Sequence, residues 1–245
     1  MRGLRCSLKS AVLRGVEAVP VDVEVSVANG LPGFFIVGMA DAAVQESRER
    51  VKSAIKSAGF EMPKARIVVN LAPSSLKKTG SGFDLAIAVA LLGATAQIPI
   101  EAVHSSMFVG ELSLNGAIRP VPGQLAYAIC ARNLGMSLVC SAEAEDLVAI
   151  NGMRYFGLRT IADLRTGEIQ DLVPAHARAR LAKVDFAEVA GNAVAKRALQ
   201  IAAAGHHGVL MMGPPGSGKT MLASRIATIL PPMSEEEVLE VALIH

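Results

Sequence analysis

The sequence has no tryptophan, two tyrosines and seven phenylalanines among its 245 residues. With rings so scarce, any core must be built largely from Ala, Val, Leu and Ile. Cysteine is scarce too: Cys6, Cys130 and Cys140 are odd in number and lack CxxC spacing. That excludes a disulfide framework or a cysteine zinc site and fits reduced thiols in a cytoplasm. No apolar run is long. The longest, residues 85–96, is Ala-rich and a dozen residues in length, whereas a bilayer helix needs about 20, so a buried helix is expected and no membrane partner. The first ten residues, MRGLRCSLKS, carry charge but no apolar stretch or cleavage-like site, so no secretory signal is expected and the location is cytoplasmic. Charged residues make up 19% and apolar ones 51%, a globular composition rather than a disordered one.

What is present is a succession of short apolar segments with clear punctuation. Residues 21–27 alternate strictly, so Val21, Val23, Val25 and Val27 share one face of a half-buried strand. Asp41 is placed to cap a helix whose Val44, Val51, Ile55 and Ala58 share a face, and Gly59 ends it. Strands are expected at 34–37, 67–71, 107–110 and 137–140, with a turn at Asn115-Gly116. Helices are expected at 83–93, 124–133 and 142–150, and a last strand–helix pair at 154–164. This order predicts an α/β (α+β) domain over residues 1–166. Residues 167–184 contain Pro174, His176 and several Arg with weak periodicity, and are expected to be an interdomain linker.

A second domain is expected over residues 185–245. It reads as a helix at 193–204, a short buried strand at 208–212 and a helix at 218–230. Ser234 and Glu237 form a capping box for a final helix. Between the strand and the second helix, Gly213, Pro214, Pro215, Gly216, Ser217, Gly218, Lys219 and Thr220 fit G-x-x-x-x-G-K-[ST] without mismatch. Each fixed residue has a mechanical role. The glycines let backbone N–H groups converge on phosphate oxygens, and the following helix adds its positive end. Lys219 brings a mobile charge to the β- and γ-phosphates, and the Thr220 hydroxyl is placed to ligate Mg²⁺. All eight residues are therefore candidates to bind ATP. A P-loop unit needs several more strands, so this domain is expected to be incomplete. The only acidic run after the loop, Glu235 to Glu237, sits at a helix start, where acids are expected anyway, and no catalytic residue is assigned within this chain.

Other candidates are weaker. His206 and His207 are adjacent, so on a helix their rings diverge, and a helix C-terminal pair is preferred to a metal pair. Residues 74–82 read as a basic, flexible surface loop, with a second anion site as the alternative. Residues 41–80 hold eight basic and four acidic side chains. The alternating Arg48, Glu49, Arg50 and Lys52 read as a solvated helix face, and the stretch from Arg48 to Lys78 as the alternative, a DNA contact.

The runs Pro32-Gly33-Phe34-Phe35-Ile36-Val37-Gly38, Val68-Val69-Asn70-Leu71-Ala72-Pro73, Lys78-Thr79-Gly80-Ser81-Gly82-Phe83-Asp84-Leu85 and Val109-Gly110-Glu111-Leu112-Ser113-Leu114, with the segment around Gly213, closely resemble the magnesium-chelatase-like AAA+ proteins, within them the competence-protein ComM (YifB) group. The resemblance covers essentially the whole chain. It implies a ribosomal protein S5 domain 2-like N-terminal domain, shared with the Lon protease catalytic domain, followed by the start of a P-loop AAA+ domain. It further implies a homo-hexameric ATPase acting on branched or single-stranded DNA as a branch-migration helicase in natural transformation. Val189-Ala190-Gly191-Asn192 would border the nucleotide base, with Asn192 where the family usually has Gln. The family's Walker B acid, sensor residues and arginine finger would lie beyond His245, so ATP hydrolysis is expected of the full-length protein and not of this chain alone.

Two alternatives follow from the same resemblance. One is the magnesium-chelatase motor subunit, which drives metal insertion into a porphyrin and, by that resemblance, lacks the S5-like domain. The other is a Lon-like Ser–Lys peptidase. In that alignment Gly82 stands at the serine position and no Lys occurs between Lys78 and Lys183, so a non-proteolytic relative is expected.

Overall fold

The computed structural model describes residues 4–99, 104–145, 147–166, 169–174 and 184–244. Their contacts divide the chain into two compact units, one within Met1–Ala177 and one within Arg178–Leu243.

The first unit is mixed α/β. A long hairpin, β1 (Leu4–Arg14) and β2 (Glu17–Ala28), is followed by β3 (Gly33–Val37), α1 (Ala42–Ser57), β4 (Arg66–Ala72) and α2 (Asp84–Ala94). Then come β5 (Ser106–Phe108), the small hairpin β6 (Glu111–Leu112) and β7 (Ile118–Arg119), α3 (Gln124–Asn133), β8 (Ser137–Ser141), β9 (Tyr155–Leu158), α4 (Asp163–Thr166) and β10 (Gln170–Asp171). Eight of these strands form one sheet in the order β10-β9-β8-β5-β1-β2-β4-β3. Four of its seven pairings are parallel: β9 with β8, β8 with β5, β5 with β1, and β4 with β3.

Side-chain pattern explains the two halves of this sheet. In β2, Val21, Val23, Val25 and Val27 are buried while Glu24 and Ala28 are exposed, so this antiparallel strand has one dry and one wet face. In β8, Leu138, Val139 and Cys140 are all buried, as a parallel strand covered on both sides requires. α2 lies on the dry face as an all-round apolar helix whose residues are almost all inaccessible, which accounts for the dozen-residue apolar run. No helix among the described residues is long and apolar enough to cross a membrane. α1 begins as its sequence indicates: the Asp41 carboxylate accepts the Val44 N–H at 2.9 Å, and Val44, Val51 and Ile55 are buried. Gly38, with φ of 104°, lies so close to β4 that an added Cβ would sit 2.1 Å from the Leu71 carbonyl oxygen, so only glycine fits there.

Three expectations are corrected. The described residues of 142–150 form no helix. Ser141 Oγ accepts the Glu143 N–H at 3.2 Å and Tyr155 donates its hydroxyl to the Val148 carbonyl at 2.8 Å, so side chains take the backbone groups a helix would need. Residues 208–212 form no strand. Among the described residues of the second unit no strand lies beside them, and Leu210 and Met212 are more than four-fifths exposed; a ladder needs a partner. The loop 74–82 is not a plain surface loop, because Lys78 is fully buried and donates to the Pro73 carbonyl. Of the stretch read as a linker, residues 167, 168 and 175–183 lie outside the described residues, and Gln170 and Asp171 pair with Gly157 and Phe156.

All three cysteines are buried and unpaired. Burial pushes the Cys6 thiol up to about 11 and Cys140 to about 12, and raises Cys130. At pH 8 the Cys6 and Cys140 thiols are thiolate about one part in a thousand or less. Iodoacetamide at pH 8 is therefore expected to leave the native chain unmodified over an hour and to label all three sites in urea. Mass spectrometry showing a rapidly alkylated native cysteine would contradict this packing.

Candidate functional site

The second unit is organised around one loop. Helix α5 (Ala193–Gly205) and helix α6 (Lys219–Arg225) flank it, a 3₁₀ turn at Ile226–Thr228 extends α6, and α7 (Glu235–Ile244) follows. Phe186, Val189, Leu199 and Leu222 form its small core. Two bonds fasten the segment before α5 to the end of α6: Arg225 donates to Glu188 at 2.9 Å, and the Phe186 N–H donates to Thr228 Oγ1 at 3.0 Å.

Gly213 to Thr220 connect residues 208–212 to α6. Gly216 and Gly218 have φ of 79° and 82°, the left-handed region that turns successive N–H groups inward. A Cβ on Gly213 would come 3.1 Å from Ser217 Oγ, so a side chain there would push Ser217 aside. Lys219 is the first residue of α6, and its ammonium lies across the loop. It donates to the carbonyls of Gly213 and Pro214 at 2.8 and 2.9 Å and to Ser217 Oγ at 3.2 Å. Pro214, Pro215 and Ser217 form the exposed rim, and Thr220 is exposed beside Lys219.

Beside this loop runs a cleft whose wall includes Asn192, Val194, Leu199, Met211 and Leu222. Asn192 Nδ2 comes within 3.5 Å of where a Gly218 Cβ would sit, so the structure brings the residue expected near a base against the phosphate loop. The acidic run belongs to the α7 start: Ser234 and Glu237 bond reciprocally, the Ser234 N–H to Glu237 at 2.7 Å and the Glu237 N–H to Ser234 at 3.3 Å. His206 caps the C-terminus of α5, and the His207 N–H closes on the Ala202 carbonyl at 2.9 Å.

The residues 23–144 match the family model described as subunit ChlI of Mg-chelatase, and residues 185–245 match the one described as magnesium chelatase, subunit ChlI. The chain belongs to the magnesium-chelatase ChlI family. Among relatives, an uncharacterized protein YifB of Salmonella typhimurium is 42% identical over 94% of this chain and 47% of its own length. An uncharacterized protein Mb2921c of Mycobacterium bovis is 38% identical over 96% and 48%. The competence protein ComM of Haemophilus influenzae is 37% identical over 93% and 47%. The chain thus spans about half the length of the curated relatives it matches.

In this ChlI-family chain the first unit's basic stretch is largely committed internally. Arg50 donates to Asp84 at 2.6 and 3.1 Å, and Arg48 and Lys52 both reach Glu49. Asp84 is fully buried at the start of α2 and also accepts the Leu112 N–H at 3.2 Å. Burial pushes its carboxyl up from the usual value, against the opposing bonds from Arg50 and Ser47. Nearby, Ser81 donates to Glu111. The peptidase geometry is missing. A Cβ on Gly82 would face the Tyr127 hydroxyl, Val109 and Val121 at 3.7 to 3.9 Å, a phenol and two aliphatic groups where a serine would need a base. Lys78 sits in a polar run and carries no sequence signal of burial, and only the assembled sheet and helices close over it, whereas Asp84 opens the apolar run read as a buried helix.

Proposed function

We propose that Gly213 to Thr220 bind the phosphates of ATP and that this chain is part of a AAA+ motor of ComM type. The observation that supports this best is the loop itself: two left-handed glycines, a close approach of Gly213 to Ser217 and a lysine ammonium lying across the cradle. The donor set fits a polyphosphate. A bound phosphate offers the Lys219 ammonium charged oxygens in place of neutral carbonyls, which makes stronger hydrogen bonds. Mg²⁺ would be held by Thr220 Oγ1 and phosphate oxygens, and when bound it supplies neutralising charge on the β- and γ-phosphates. Among the described residues no group of three His, Cys, Asp or Glu forms a metal cage. Asn192 and the apolar wall of the cleft are placed to receive the nucleotide base.

The ComM reading rests on the relative of that name, similar over nearly all of this chain. In this reading the first unit has an S5 domain 2-like fold, the AAA+ sheet is completed by further strands that cover Val209, Leu210 and Met212, and the full-length protein works as a cytoplasmic homo-hexamer on branched or single-stranded DNA. The chelatase-motor reading keeps its standing through the family itself, because a ChlI model matches inside the first unit. The first unit's presence therefore does not separate the two. A forked-DNA unwinding assay on the full-length protein does. ATP-dependent strand separation is expected. Porphyrin metallation with no response to DNA would establish the chelatase reading instead.

A further inference from the structure

In the first unit, the parallel strands β5, β8 and β9 begin side by side. The Ser137 N–H donates to the Ser105 carbonyl and the Leu138 N–H to the Arg154 carbonyl, both at 3.0 Å. Ser105, Ser137 and Arg154 therefore share one end of the sheet, and the last turn of α3 brings Arg132 to the same place. Together with Gly135, Met136 and Gly152 they line a cleft of about 300 Å³, and among the described residues none of its lining is acidic.

Both arginines are uncommitted. Neither has an ion-pair or hydrogen-bond partner among the described residues, in contrast to Arg50, Arg48 and Lys52. Arg154 is held over the Phe156 ring at 5.1 Å from its centroid, which orients the guanidinium plane and leaves its N–H edge free. Arg132 is not needed to close its helix. The carbonyls of Cys130, Ala131 and Arg132 already accept the N–H groups of Leu134, Met136 and Gly135. Two free guanidinium forks and two hydroxyls around one cleft, with no acid among its described lining residues, match the donor geometry of a phosphate oxyanion.

We propose that this cleft binds a phosphate group through Arg132 and Arg154, with Ser105 and Ser137 as neutral donors. The same chemistry is offered by the backbone of a nucleic-acid strand and by free phosphate. The proposal does not depend on the P-loop reading, since its readout is local to these two side chains.

The test follows the Nε–Hε signals of Arg132 and Arg154 by NMR in the full chain, first with inorganic phosphate and then with a twelve-nucleotide single strand. Shifts of both signals that saturate with inorganic phosphate alone identify a site for free phosphate. Shifts at much lower concentration with the oligonucleotide identify a strand contact. In that case Arg132→Gln with Arg154→Gln weakens oligonucleotide binding about tenfold or more and lowers the salt slope by roughly one to two. If both signals stay still under phosphate and oligonucleotide alike, the proposal is wrong, whatever the double variant does to stability. A variant that only lowers Tm marks Arg132 and Arg154 as structural.

Discussion

Lys219→Ala is expected to weaken ATP binding about 10- to 100-fold, the factor that corresponds to losing a charge-assisted hydrogen bond of about 1.5–3 kcal/mol. The side chain makes its three bonds inside the loop, to Gly213, Pro214 and Ser217, and none to the small core of Phe186, Val189, Leu199 and Leu222. Its removal should therefore act on the ligand far more than on the fold. Titration of a fluorescent ATP analogue against wild type and variant measures the ratio, and thermal melts without nucleotide check that the fold is kept. Equal affinities in two equally stable proteins would remove the loop from nucleotide binding.

The second large effect is on stability. Asp84→Ala is expected to destabilise the first unit by about 2–4 kcal/mol, because it removes the buried carboxylate that holds the Arg50 guanidinium and the Leu112 N–H, while Arg50 keeps Ala43, Ser47 and Glu46. Asp84 ties α1 to α2 and to β6 at once, through bonds of 2.6, 3.1 and 3.2 Å. Asp84→Asn keeps an acceptor and should lose markedly less. The pH dependence carries its own sign. Burial raises the carboxyl's value in the folded state, so the folded chain holds this proton more tightly than the unfolded one. Between the ordinary aspartate value and the raised one, wild type should lose stability relative to the Asn variant as pH rises. Urea midpoints across pH 3 to 7 measure this difference. An Asp84→Ala midpoint equal to wild type would show that the buried pair contributes nothing.

Legibility in the sequence followed how local each interaction is. The Val21 to Val27 alternation and the Asp41 cap act over a few residues, and both are found where expected. Helix α3 has the expected bounds. Strand β1 is hard to read from sequence, because its inward face includes Ser10 while the opposite face carries the apolar Ala11 and Leu13, which blurs the alternation. It is a strand because eleven residues pair with β2, a fact of register and not of composition. Residues 208–212 carry an apolar run that reads as a strand, yet without a neighbour it has no ladder to join. The motif at residues 213–220 is legible because its eight residues are contiguous. Arg132 and Arg154 are not, since parallel register alone brings positions 105, 132, 137 and 154 to one cleft.

If residues 213–220 form a phosphate cradle, amide NMR of the isotopically labelled chain with Mg·ATP shows it most directly: the largest shifts fall on Gly213, Gly216, Ser217, Gly218, Lys219 and Thr220, with Asn192 moving less. Saturating nucleotide that leaves those amides in place would contradict it.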